Sequence, residues 1–197
     1  MAVPKYPIPA SYVETVKALL QPNLPVVFPG PEGLAAASLR ESFPLHTAGA
    51  EELIAAHHAG RTLESVCGQT GIWHHQLQLN GEVKGFARTT APEDPGGAQF
   101  LSLMDGRLAH ELDRTIQAVD HDSRFESNDY TAILVLIPMV AFYFLLLSNG
   151  PEEWVVIACS MFGSLGLAPL TVLSAGEFVD RLRRLPERGG VQFQDRP

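Results

Sequence analysis

Residues 72 to 90, "IWHHQLQLNGEVKGFART" and a closing threonine, gather the side chains best suited to chemistry. The Asn80-Gly81 pair between alternating residues predicts a β-hairpin with a two-residue loop. That loop sets Leu79 opposite Glu82, Leu77 opposite Lys84, His75 opposite Phe86 and Trp73 opposite Arg88. Side chains alternate across a strand, so Trp73, His75, Leu77, Leu79 and Phe86 share a core-facing side, and His74, Gln76 and Gln78 point the other way. His75 is then the candidate general base, with Arg88 as an anion anchor beside it. Trp73, His75, Phe86 and Arg88 form the candidate binding set. The plainer account of His75 is a core histidine whose nitrogens are satisfied by neighbours.

Other chemistry finds less support. The adjacent pairs His57-His58 and His74-His75 suggest metal binding, but neighbours on a strand face opposite ways, and no HExxH, HxH or cysteine-histidine set is present. His110 and His121 share a helix face yet lie about 16 Å apart along it, too far to share an ion. No metal and no cofactor is expected. Cys67 and Cys159, distant and flanked by small or apolar residues, read as reduced thiols rather than a disulfide or redox pair. "SMFGSLG" lacks the lysine and the spacing of a phosphate loop and reads as a packing loop. No GxSxG-type nucleophile motif occurs. The acidic run "DHDSRFESND", with Asp120, Asp122, Glu126 and Asp129, reads as a solvated connector.

A net charge of −8 leaves no basic field for phosphates, and the arginines at 181, 183, 184 and 188 are interrupted by acids. Nucleic acid is therefore not an expected partner. The first residues carry no apolar core of a secretory signal, which makes the cytoplasm the expected location.

The elements that must position these residues follow from periodicity and punctuation. Ser11 and Glu14 have capping-box spacing and open a helix over about 11–21. "PNLPVVFPGPEG" reads as an extended connector, Pro31 as the start of a second short helix carrying Leu34 through Leu39, and residues 49–59 as a third ending at Gly60. Leu108, Leu112, Ile116 and Val119 make one stripe of an amphipathic helix over about 105–120. No internal repeat is visible.

Two long uncharged windows, about 130–150 and 154–176, admit a two-span membrane hairpin with a cytosolic N-terminal domain. Their interruptions favour another division. "AILVLI" and "EWVVIACS" are strand-like, Pro138 suits a helix start, and Asn149-Gly150 suits a helix stop. Ser174 and Glu177 form a capping box ahead of Phe178, Val179, Leu182 and Leu185. The preferred reading is a buried β-α-β unit over about 131–159.

The expectation is one α+β domain over 1–197, with a helical, proline- and glycine-rich part at 1–70 and a sheet-containing part at 71–197. Its small mixed sheet combines a hairpin (about 72–90) with the β-α-β unit, packed by several amphipathic helices. An apolar fraction of 46% without a catalytic signature points to a soluble, bacterial-type accessory or binding protein that self-associates or holds a protein partner. The membrane hairpin and an enzyme based on His75 are the alternatives.

Overall fold

The computed structural model describes residues 10–27, 37–91, 97–126, 130–160 and 167–184. Its centre is an eight-stranded mixed sheet: β1 (Ala37–Thr47), β2 (Gly68–Leu79), β3 (Glu82–Thr90), β4 (Phe100–Asp105), β5 (Thr131–Ile137), β6 (Phe142–Asn149), β7 (Glu152–Ser160) and β8 (Val172–Ser174). The spatial order is β4-β3-β2-β1-β5-β6-β7-β8. Every neighbouring pair is antiparallel except β1 and β5, which run parallel over Leu45↔Leu134, His46↔Val135 and Thr47↔Leu136. Helices are α1 (Ala10–Leu20), the single turn α2 (Leu24–Val27), α3 (Ala50–His58), α4 (Arg107–Asp120) and α5 (Ala175–Arg183).

This sheet is larger than expected, and it begins in the part read as helical. Leu39 lies on β1, not on a helix, and residues 31–36 of that expected helix fall outside the described ones. Leu24–Val27 makes a helical turn inside the expected extended connector.

The β-α-β unit is replaced by three antiparallel strands, β5, β6 and β7, and the residues expected to form its helix are β6. Pro138 opens a 3-10 turn, Pro138–Val140, and Ala141 at φ 43° reverses the chain into β6. Ile137 is then opposite Phe142. Asn149-Gly150 ends no helix either, because Asn149 pairs with Glu152 and Gly150 supplies the positive φ (65°) of a tight strand reversal. A continuous Val/Ile/Leu run signals a strand covered on both faces, whatever its direction; parallel pairing is only one way to meet that condition. Among the described residues no helix is long and apolar enough to cross a membrane, and the two apolar windows supply β5, β6, β7 and β8.

Alternate residues of these strands feed separate cores. Ile133, Val135, Phe144, Leu146, Val155 and Ile157 pack with Leu53 of α3 and Phe178, Val179 and Leu182 of α5. Ala132, Leu134, Leu145, Leu147, Val156 and Ala158 pack on the opposite face with Leu112, Ile116 and Val119 of α4. The stripe on α4 read from the sequence is therefore the one that is buried. α1 covers β1 to β4 on the face away from α4, through Tyr12, Val16 and Leu20 against Leu77 and Ala87.

Two halves share one plan that no sequence echo announces. Each is a four-stranded antiparallel meander followed by a helix, β1–β4 then α4 and β5–β8 then α5. Parallel central strands with the two closing helices on opposite faces fit a pseudo-twofold axis running along the strands. The sheet curls around α4, which touches both β3 and β7 although four strands separate them.

Candidate functional site

Asn80 (φ 52°) and Gly81 (φ 85°) both take the left-handed conformation that a two-residue loop of this hand requires. Next to the loop Leu79 lies opposite Glu82, as the sequence predicts. A bulge then intervenes: Gln78 faces Val83, but Leu77 faces Gly85, leaving Lys84 as the extra residue on β3. Beyond it His75 is opposite Ala87, His74 opposite Arg88, Gln76 opposite Phe86 and Trp73 opposite Thr89. One inserted residue thus moves Phe86 and Arg88 to the other side of the sheet from His75 and Trp73. The four residues expected to form one binding set are split between two faces.

On the α1 side, His75 is fully buried. Its Nδ1 lies 2.9 Å from Ser42 Oγ and its Nε2 2.9 Å from Thr89 Oγ1. Tyr12 Oη of α1 reaches the same Thr89 hydroxyl at 2.7 Å and the Thr90 carbonyl at 3.0 Å. Trp73 stacks on His75 with centroids 6.5 Å apart, and Tyr12 meets both rings. Burial pushes the His75 pKa down to about 4, so the imidazole is neutral at pH 7. A neutral ring with a hydroxyl on each nitrogen fastens α1 to the sheet. As a base it would need one of those hydroxyls to leave.

On the α4 side lies a different polar group. His74 and Gln76 of β2 are fully buried beneath α4, as is Thr115 on the inner face of α4. His74 stacks on Phe86 at 4.5 Å, and the Arg88 guanidinium sits 5.2 Å from the centre of the same ring. Arg88 Nη2 donates to Tyr143 Oη at 3.2 Å, a contact from β3 to β6 that only the curl of the sheet permits. Gln76 Nε2 donates to the Ala109 carbonyl at 3.2 Å. Both ring nitrogens of His74, Gln76 Oε1 and Arg88 Nε are buried without a hydrogen-bond partner. Burial first, then Arg88 and His75, hold His74 well below the ordinary histidine range. The sequence reading placed His74 and Gln76 on the side away from the core; the amphipathic helix it expected over about 105–120 covers that side and buries them.

Glu153 is another buried polar residue that the sequence did not signal. From β7 it accepts the backbone N–H of Leu63 at 2.7 Å and of Glu64 at 2.8 Å, anchoring the turn between α3 and β2. It also helps keep the thiol of Cys67 protonated: burial first, then the charges of Glu153, Glu64 and Glu52, push its pKa up to about 12. Burial raises Cys159 as well. Both cysteines are free thiols. Among the described residues, no three His, Cys, Asp or Glu side chains are grouped to hold a metal ion. Of the acidic run, Asp122 pairs with Arg124 at 2.5 Å, while residues 127–129, with Asp129, lie outside the described set, as do 161–166 of "SMFGSLG".

No family model matches this chain, and neither a curated protein nor a solved structure matches it.

Proposed function

We propose that this chain is a binding protein that pairs with a second copy of itself along the outer edge of β4. One observation carries the reading. β4 ends the sheet, and it presents Leu101 and Met104 at 46% and 50% exposure. Natural edge strands are guarded by lysine, proline or extreme shortness. β8, at the opposite edge, is three residues long, whereas β4 runs for six, "FLSLMD", with no proline and its one charge at the end. A bulge falls at Leu101, since the register jumps from Phe100 opposite Thr89 to Ser102 opposite Arg88. Bulges usually spoil an edge, yet here the residue left unpaired is a leucine rather than a charge.

A second copy suits this edge. Antiparallel pairing about Ser102 or Leu103 sends the two Asp105 residues to opposite ends of the new ladder, so a chain of charge −8 adds no close like-charge contact at the seam. Six residues of ladder with two apolar side chains bury a small interface, so association in the micromolar range is expected. Light scattering after size exclusion tests it over a concentration series. The mass should climb toward twice the 21.4 kDa of one chain, and the double variant Leu101→Lys, Met104→Lys should stay monomeric with an unchanged melting temperature. A wild-type monomer at hundreds of micromolar overturns the reading, and so does a double variant that still dimerises.

A further inference from the structure

The polar group under α4 points to a second site, independent of the β4 edge. We infer that Arg88, His74 and Gln76 form a binding site for a small oxyanion, a carboxylate or a phosphate, on the concave side of the sheet. Arg88 is half-buried, and no carboxylate pairs with it among the described residues, in a chain with twenty-two acidic side chains. Its guanidinium is held in place by the face of Phe86 and by Tyr143 Oη, and its Nε remains unused. A fixed fork with a free N–H is what planar oxyanion recognition asks for.

His74 lies directly across the ladder from Arg88 and touches the same phenylalanine ring. It is fully buried, with neither nitrogen bonded. Each buried polar atom left unpaired is a penalty that a leucine at this position would not carry. A neutral imidazole offers one donor and one acceptor, and Gln76 Oε1 adds a second acceptor. The unpaired set thus comprises two donors, on Arg88 and His74, and two acceptors. An oxyanion satisfies the donors, and a hydroxyl carried by the same ligand would satisfy an acceptor. Half-buried Tyr143 and Ser102, the latter opposite Arg88 on β4, flank the arginine where solvent reaches it.

The test is a titration of the protein with acetate, glycolate and inorganic phosphate separately, followed by the side-chain nitrogen signals of histidine and arginine. Saturable shifts of His74 and Arg88 are expected, with glycolate tighter than acetate if the carboxylate is the natural group, or phosphate tightest if it is not. Arg88→Gln should weaken binding by about tenfold or more. Tyr143→Phe, which removes only the hydroxyl that orients the arginine, should weaken it several-fold and guards against an Arg88 variant that fails to fold. Arg61→Gln, at an exposed position, should change nothing. Signals of His74 and Arg88 that stay fixed for all three anions up to tens of millimolar overturn the site, as do shifts that persist unchanged in Tyr143→Phe and a folded Arg88→Gln.

Discussion

Keeping His75 neutral ties the stability of this fold to pH. Burial sets its folded pKa at about 4, against 6.5 for the free side chain. Stability from keeping the ring neutral is complete above about 6.5 and is lost as pH falls from there toward 4, because the unfolded chain takes up a proton that the folded chain refuses. Between pH 7 and pH 5 this amounts to about 2 kcal/mol. His74, lowered by burial and by Arg88, adds in the same direction. Urea midpoints across that interval should fall with pH, and His75→Gln should flatten part of the slope. A slope that is unchanged in the variant would mean that other groups carry it. At this scale the hairpin was legible, but its register set Trp73 rather than His74 across from Arg88. The two-residue loop was legible in Asn80-Gly81, while the bulge at Lys84 has no composition of its own, so the facing residues could be counted correctly only as far as Gln78.

Helix α5 begins where its sequence says. Ser174 Oγ accepts the N–H of Glu177 at 3.3 Å, and Glu177 Oε2 accepts the N–H of Ser174 at 2.9 Å. Ser174→Ala should lower stability by about 1 kcal/mol, read as a shifted denaturation midpoint. On α4, Leu112 is fully buried in the core that the helix forms with β1, β5, β6 and β7, and Leu112→Ala should cost about 3 kcal/mol. Caps and stripes are local patterns, which is why α3, α4 and α5 were readable. β1 was not, since "ASLRESFPLHT" mixes charge and proline within a strand whose partners lie far along the chain. β6 escaped for a related reason: "FYFLLLSN" was read as the buried helix of a β-α-β unit, and a short apolar run reports burial without telling a covered strand from a buried helix.

As a whole the molecule is two meanders joined at a three-pair parallel seam and gripped by one helix that touches both. α4 makes the halves interdependent, so they should unfold together. The two tryptophans fall one to each half, Trp73 on β2 and Trp154 on β7, and can report separately. Trp73→Phe and Trp154→Phe variants followed by fluorescence should give the same urea midpoint, after correction for each variant's own stability by circular dichroism; two distinct midpoints within one variant would show that the halves act as separate domains.

The parallel seam also sets a schedule for the newborn chain. β2 can zip onto one side of β1 as soon as it leaves the ribosome, but the other side of β1 has no partner until Leu134 to Leu136 have been made. Throughout that interval Phe43 and Leu45 face a core whose other wall is β5, β6 and β7. A half-made chain therefore offers both an open strand edge and an uncovered apolar face, a combination that invites pairing between nascent chains on one message.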